Sequence, residues 1–221
     1  KDDLETILRE TPDTKQTYLF SATMNKEVER ISKNYLTSPH RISVGSINEV
    51  KKNIKHEFYV VGYRHKKEAL KRLIDANPNQ YSIIFCRTRM ETQEVADFLM
   101  QNRYAADALH GDLSQAQRDM VMKKFRLKNI DILVATDVAA RGLDVDSLTH
   151  VIHFSLPDDP EVFVHRSGRT GRAGKDGISM ALIKPEESRK LKQIKSDTKI
   201  EMVEKSIPTG DDIIKAQVGG V

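Results

Sequence analysis

The sequence is poor in the residues that build disulfide-rich, metal-rich or membrane-embedded proteins. It contains one cysteine, Cys86, and no tryptophan, and aromatic residues make up 6% of the chain. One cysteine excludes a disulfide framework and any zinc site built from several cysteines, and it is typical of a reducing compartment. No run approaches the roughly 20 apolar residues of a membrane span. We therefore predict a cytoplasmic protein that does not associate with membranes.

Neither sign of charge dominates the composition. Lys and Arg number 36 and Asp and Glu number 32, which gives a net charge of +4. A balance this mild does not identify a nucleic-acid-binding protein, so the positions of the charges carry more information than their sum. The chain begins at Lys1 rather than at Met, and we expect it to be an excised piece of a longer protein.

The phosphate-binding loop of nucleotide hydrolases is also missing. Its pattern is G-x-x-x-x-G-K-S/T. The segment 171–176 comes nearest, but its spacing is wrong and Asp176 stands where the Mg²⁺-binding hydroxyl belongs. No acidic pair follows an apolar strand before Ser21. Any role in nucleotide hydrolysis would therefore need a second domain to hold the phosphates.

From residue 54 onwards, strand-like and helix-like segments alternate regularly. The predicted strands are 56–61, 82–86, 105–109, 131–135, 150–155 and 178–183. The predicted helices are 66–76, 91–101, 115–128, 160–166 and 186–196. Strands 82–86 and 131–135 are apolar throughout their centres, as strands buried on both faces are. The alternation predicts an α/β fold with a parallel sheet covered by helices on both sides.

The chain also divides along its length. Residues 54–184 suffice for one α/β domain, and residues 45–53 have the composition of a linker. Residues 1–44 suggest helices at 3–10 and 26–36 and strands at 17–20 and 41–44, which is too little for a sheet. We predict that they are the tail of another domain, whose absent strands would cover Leu19, Phe20, Ile42 and Val44. Residues 185–221 are predicted to form a C-terminal helical extension, with either a solvated charged face or a basic RNA-binding surface.

Polar residues collect directly after the predicted strands. Ligands of open α/β sheets bind at the carboxyl ends of the strands. The relevant segments are 87–89, 110–112 with Gln115 and Arg118, 136–144, and 165–175. Their Arg, Thr, Gly and Asp side chains suit phosphate, ribose and nucleic-acid backbone.

The segment 165–175 carries the most specific pattern. Arginine recurs at 166, 169 and 172, and glycine recurs at 168, 171 and 174. A spacing of three keeps side chains roughly on one side of a helical path, and glycines inside a helix are costly unless the backbone ends or approaches another closely. Guanidinium groups bind phosphate bidentately. The segment could be a solvated basic turn, a general nucleic-acid phosphate patch or, as we favour, arginines directed at a nucleotide γ-phosphate held by another domain.

With these segments in order, the chain resembles the C-terminal half of a DEAD-box RNA helicase of superfamily 2, of the bacterial cold-shock and ribosome-assembly type. The matching motifs are Ser21-Ala22-Thr23, 83–88, His110-Gly111 with Gln115 and Arg118, 136–144, and 165–172. The resemblance implies a RecA-like three-layer α/β/α fold with a mainly parallel sheet. It also implies ATP-driven RNA unwinding without sequence specificity, with ATP and Mg²⁺ bound mainly by an N-terminal RecA-like domain outside this chain.

The resemblance also implies residue roles. Arg169 and Arg172 would reach the γ-phosphate, and Asp144 with Gly142 would contact the nucleotide. His165 and Arg166 would couple to the acidic motif of the other domain, and Ser21 and Thr23 would link hydrolysis to RNA separation. Asp137 would mainly hold the motif 136–144 in its conformation, and Arg141 would take part in contacts between the two domains. RNA phosphates and 2′-hydroxyls would contact Arg87, Thr88, Gly111, Arg118 and Thr136. The chain alone is expected to be inactive.

Simpler interpretations stay open at single residues and for the whole chain. Ser21 and Thr23 could cap a helix, Asp144 could be a turn residue, and Cys86 is most simply inert packing. The chain could instead be a non-catalytic module that binds single-stranded RNA or protein, or part of a DNA translocase of the same superfamily.

Overall fold

The computed structural model of the protein describes residues 2–12, 14–21, 24, 26–43, 53–141, 145, 148–172 and 174–218. Two compact units make up the chain, Lys1–Glu49 and Val50–Val221. The predicted linker 45–53 lies outside the described residues except for Asn53.

Within its described residues, the first unit contains two helices, α1 (Asp2–Arg9) and α2 (Lys26–Tyr35). The Tyr35 hydroxyl donates a hydrogen bond to the Glu5 carboxylate over 3.1 Å and so ties α2 to α1. The strand predicted at 17–20 is not formed. Of the strand predicted at 41–44, residues 41–43 have no regular secondary structure, and Val44 lies outside the described residues. A strand requires a hydrogen-bonded neighbour. Without one, Phe20 is 91% exposed and Ile42 is 79% exposed.

The second unit is built on a parallel sheet of seven strands within the described residues. The strands are β1 (Ile54–Val60), β2 (Ser82–Cys86), β3 (Ala106–Leu109), β4 (Ile132–Thr136), β5 (His150–His153), β6 (Gly177–Ile183) and β7 (Val203–Glu204). Their order across the sheet is β3-β4-β2-β5-β6-β1-β7, and every pairing is parallel. The predicted α/β fold with a parallel sheet is confirmed.

Helices cover both faces of this sheet and complete three layers. They are α3 (Lys66–Asp75), α4 (Arg89–Gln101), α5 (Gln115–Arg126), α6 (Asp137–Ala140), α7 (Pro160–Ser167) and α8 (Ser188–Thr198). The last helix, α9 (Gly210–Val218), lies against α3 and has no buried residue. Helices α3 and α4 pack with Ile84 and Val134 on one face of the sheet. Helices α5 and α6 pack with Ile83 and Leu133 on the opposite face, because the side chains of successive strand residues point to opposite faces of a sheet.

The central strands are as apolar as their sequence predicts. Every residue of β2 and of β4 is buried, because each strand has hydrogen-bonded neighbours on both sides and helices on both faces. This buried centre fixes the positions of the loops that follow the strands.

The C-terminal segment is more than a helix. Helix α8 buries Leu191 and Ile194 against β6 and α7. Of its basic residues, Arg189 and Lys192 are exposed, whereas Lys190 and Lys195 are half-buried. Strand β7 then pairs with β1 through Glu57 and Phe58. The short run Val203–Glu204 carries too few residues for a periodic pattern, so sequence alone did not indicate this seventh strand.

Candidate functional site

Helix starts line the carboxyl edge of the sheet. The hydroxyls of Thr88, Ser114 and Thr136 accept hydrogen bonds from the first-turn amides of α4, α5 and α6, and the Asp159 carboxylate does the same for α7. Such caps satisfy first-turn amides that would otherwise lack a partner, and they hold each helix start in place. The partial positive charge of helix N-termini favours anions at this edge.

Arg166 forms the centre of the site. Its Nε and Nη2 donate to the two carboxylate oxygens of Asp137 over 2.6 and 2.7 Å, and its Nη1 donates to the Ser155 carbonyl over 2.6 Å. The guanidinium lies 5.1 Å from the centre of the Phe85 ring. Its side chain is 3% exposed, against 34% for Asp137. Arg166 therefore joins α7 to α6 and to the end of β5, inside its own domain.

A second network extends this centre towards β2. The Ser155 hydroxyl donates to both carboxylate oxygens of Glu91 over 2.8 and 2.9 Å. Glu91 also accepts from the backbone amide of Arg87 over 2.7 Å. The loops after β2 and β5 are thus bonded to each other through one carboxylate at the start of α4. Ser155 and Glu91 were missed by sequence reasoning, because neither belongs to a spaced motif.

The arginine and glycine pattern divides where α7 ends. Helix α7 stops at Ser167, Gly168 is its C-cap, and Gly171 takes a positive φ of 64°. A Cβ at Gly171 would lie 2.5 Å from Ile54 Cγ1. These two glycines confirm the prediction of a helix end and a close backbone approach. Because the helix ends, the arginines do not share one environment: Arg166 is buried, whereas Arg169 and Arg172 are half-buried.

Arg169 and Arg172 concentrate positive charge beside this centre. Burial, and after it the nearby charge of Arg172, lower the pKa of Arg169. The Nε of Arg172 donates to the Gly168 carbonyl over 3.2 Å, which holds its side chain against the loop.

A small pocket of about 80 Å³ opens between α6 and α7. Asp137, Arg141, His165, Arg166 and Arg169 supply its charged and titratable lining. One carboxylate faces three guanidiniums, and that carboxylate is already bonded by Arg166. The pocket is consequently suited to an anion and unsuited to a cation.

Three of the predicted RNA-contacting positions follow neighbouring strands. Gly111 follows β3, Thr136 ends β4 and Thr88 follows β2, and these strands are adjacent in the sheet. The ion pair between Arg89 and Asp112 links the start of α4 to the loop that follows β3. Neighbouring strands lie about 4.8 Å apart, so the three positions form a row on one edge.

The two predicted RNA-contacting arginines lie beside this row. Arg118, on α5, donates to the Ala139 carbonyl over 3.4 Å. Arg87 pairs with Asp158, which also accepts from Lys190 over 2.6 Å. Hydrogen bonds from Lys190 and then from Arg87 lower the pKa of Asp158 to about 2.

The structure does not test the roles of the remaining predicted site residues. Thr23, Gly142 and Asp144 lie outside the described residues, and Ser21 is exposed. Their assigned roles stay predictions, as does the coupling of Arg166 to another domain. Cys86 is fully buried in β2 and burial raises the pKa of its thiol, as expected of inert packing.

Neither a metal-binding cluster nor a membrane-spanning helix occurs among the described residues. They hold no group of three or more His, Cys, Asp or Glu side chains placed to bind a metal ion. No helix among them is both long and apolar enough to cross a bilayer. Binding of Mg²⁺ by an N-terminal domain stays a prediction.

Comparison with known proteins gives this geometry a context. Residues 65–174 match the family model of the helicase conserved C-terminal domain. The DEAD-box ATP-dependent RNA helicase CshA of Bacillus cereus is 44% identical over 98% of this chain, which spans 41% of that protein. Yeast Dbp5 bound to RNA and ADP BeF3 is similar with a TM-score of 0.85 and 27% identity, over 97% of this chain and 58% of that one.

A third similarity covers nearly the whole of the matching chain. The Escherichia coli DEAD-box protein SrmB, bound to regulator of ribonuclease activity A, is 31% identical with a TM-score of 0.65, over 73% of this chain and 94% of that chain. The family model and the sheet together define the second unit as the C-terminal domain of a helicase, with the RecA-like fold that the resemblance implied. The chain belongs to the DEAD-box family of RNA helicases.

Proposed function

We propose that this chain is the C-terminal half of an enzyme that unwinds RNA duplexes by hydrolysing ATP. In this function Arg169 and Arg172 approach the γ-phosphate of ATP held by the N-terminal RecA-like domain. The carboxyl edge of the sheet meanwhile holds the RNA backbone. Similarity to enzymes named ATP-dependent RNA helicases supports the proposal, although the chain spans only 41% of the curated relative.

The observation that carries the proposal is the surplus of guanidinium groups around Asp137. Three arginines and one carboxylate line the pocket, and that carboxylate is bonded to Arg166. The charge of a phosphoryl group in transfer would be stabilised by such a surplus, and an arginine in this role accelerates hydrolysis by about 10³- to 10⁵-fold. Mg²⁺ would be held mainly by the N-terminal RecA-like domain. Gly142 and Asp144 remain candidates for contacting the nucleotide.

RNA is expected to bind along the row formed by Thr88, Gly111 and Thr136. The hydroxyls and the capped helix starts present donors that suit phosphates and 2′-hydroxyls, which carry no base sequence. Binding should therefore depend little on sequence, and it should select RNA over DNA through the 2′-hydroxyl.

The two regions are joined through α6. Thr136 caps this helix, and the next residue, Asp137, pairs with Arg166 beside the arginine pocket. An RNA contact at Thr136 would thus lie one residue from Asp137, whose carboxylate holds Arg166 of α7. We expect ATP and RNA to strengthen each other's binding through this connection.

The test uses the full-length enzyme with Arg169→Ala and Arg172→Ala in separate variants. We expect ATP turnover at saturating RNA to fall by about 10³-fold, while RNA affinity in the absence of nucleotide changes by less than threefold. The matched control is Arg72→Ala, because Arg72 is half-exposed on α3 and pairs only with Glu68 over 3.7 Å among the contacts described. Turnover within threefold of wild type in both arginine variants would refute the proposal.

The RNA-binding edge also supports a simpler function for the isolated chain, which is binding of single-stranded RNA without catalysis. All three positions of the row lie in the second unit. We expect weak affinity that falls with salt by a log–log slope of about −0.7 for each phosphate contacted. A chain that hydrolyses ATP alone would contradict this expectation.

A further inference from the structure

A second pocket opens at the same edge of the sheet, beyond β2. Its volume is about 250 Å³, and it lies where the ends of β1, β5 and β6 meet the start of α4. Its lining includes Tyr63, Lys66, Arg87, Thr88, Met90 and Lys184. This pocket combines an aromatic ring, a thioether and cationic groups, and none of the functions above uses Tyr63, Lys66 or Met90.

Tyr63 stands in the short 3-10 turn 63–65 that follows β1. Its side chain is 74% exposed, and Met90 is 72% exposed. Among the contacts of the described residues, the Tyr63 ring has no aromatic neighbour and its hydroxyl has no hydrogen-bond partner. A tyrosine this exposed contributes little to packing, and an exposed aromatic ring can serve as a stacking platform for an unpaired base.

Lys66 lies in the same pocket and is 4% exposed. Its ammonium donates to the Phe154 carbonyl and lies 4.9 Å from the centre of the Phe154 ring. Lys66 therefore belongs to the buried floor of the pocket.

The acidic side chains of this pocket already have partners. Glu91 accepts from Ser155 and from the Arg87 amide, and Glu187 accepts from the Lys184 amide over 2.9 Å. Glu94 pairs with Lys67 over 3.6 Å. Three cationic groups, Lys66, Arg87 and Lys184, match these three carboxylates in number, so the pocket is close to neutral and its phosphate-binding groups are Arg87 and Thr88.

The pocket is continuous with the row proposed to hold RNA. Arg87 and Thr88 line it and also follow β2, directly beside the end of β4 with Thr136. A strand of RNA running from Gly111 past Thr88 would therefore reach Tyr63 next. The row supplies donors for the backbone, and this pocket supplies the only exposed aromatic ring described at that edge.

We propose that this pocket receives one unpaired RNA base, stacked on the Tyr63 ring and flanked by Met90, with its phosphate held by Arg87 and Thr88. The inference rests on the proposed RNA-binding function and extends its footprint from β2 to β1. Stacking accepts every base, so the site adds affinity and fixes where the strand runs without reading sequence.

The test measures binding of a 12-nucleotide single-stranded RNA to the full-length enzyme by fluorescence anisotropy. We expect Tyr63→Ala to weaken binding by about 5- to 100-fold, and Tyr63→Phe to bind within twofold of wild type, because the hydroxyl has no proposed role. The matched control is Leu127→Ala, since Leu127 is 61% exposed and lies beyond the C-terminal end of α5. It should bind as wild type does.

A scan of abasic sites along the same RNA locates the stacked base. At one position, removal of the base should weaken wild-type binding while leaving the Tyr63→Ala variant unaffected. Loss of binding in Thr136→Val together with normal binding in Tyr63→Ala would overturn the stacking pocket and keep the proposed function. Unchanged binding in both variants would overturn the two together.

Discussion

Two arginine–aspartate pairs at the same edge of the sheet differ in burial, and the difference separates support from recognition. In the inner pair, the Arg166 side chain is 3% exposed and Asp137 is 34% exposed. In the rim pair, Arg87 is 56% exposed and Asp158 is 74% exposed. Chemically the pairs are alike. The inner pair lies at the centre of the site, and separating its buried charges would cost much free energy. In the rim pair, Arg87 can exchange the Asp158 carboxylate for a phosphate.

Breaking the inner pair gives the largest expected effect. Arg166→Ala leaves Asp137 without its bidentate partner and the Ser155 carbonyl without its donor. We expect the free energy of unfolding of the 221-residue chain to fall by about 3–5 kcal/mol, measured by urea denaturation followed by circular dichroism. Arg169→Ala should change it by less than 1 kcal/mol, since Arg169 lines the pocket and is only half-buried. Equal losses in the two variants would remove the distinction between a supporting and a recognising arginine.

The interior beneath the inner pair predicts a pH dependence. Burial lowers the pKa of His56 and of His150 to about 4, and burial followed by the charge of Arg166 lowers the pKa of His153. His153 stacks on Phe163 of α7 at 4.0 Å between ring centres. Each of these histidines is neutral when folded but takes up a proton near pH 6.5 when unfolded.

The unfolded chain consequently binds more protons as the pH falls, and stability is lost from about pH 6.5 towards pH 4. Between pH 7 and pH 5 we expect a loss of about 2 kcal/mol for each of His56 and His150. His56→Leu should flatten the profile by its own share, and exposed His65→Leu should leave the profile unchanged. A wild-type chain equally stable at pH 7 and pH 5 would contradict the buried, uncharged interior.

Breaking the rim pair gives the smallest effect and the opposite sign. Asp158→Asn frees Arg87 for a phosphate, so RNA affinity of the full-length enzyme should rise about two- to threefold at low salt and converge with wild type at high salt. Stability should change by about 1 kcal/mol or less. Filter binding across a salt titration measures this, with the exposed Asp211→Asn as a charge-matched control. Weaker RNA binding in Asp158→Asn would mean that Arg87 recognises RNA only while it is paired.

The sequence predicted the layers of the second unit well, because strands 82–86 and 131–135 are apolar enough to require burial on both faces. It failed at 17–20, where apolar residues alone predicted a strand that has no partner to bond. At the site, spacing pointed to Arg166, Arg169 and Arg172 together. It could not separate them, because their environments depend on where α7 ends at Ser167. Glu91 and Tyr63 escaped notice, since only the folded edge places them beside residues distant in sequence.

The account predicts a coupling that one measurement can detect. RNA affinity of the full-length enzyme is determined with and without a non-hydrolysable ATP analogue, in wild type and in the Arg169→Ala and Arg172→Ala double variant. We predict that the analogue tightens RNA binding about tenfold or more in wild type and leaves the double variant unchanged, with equal affinities in the absence of nucleotide. The same tightening in both proteins would show that these arginines do not sense the triphosphate, and it would contradict the account.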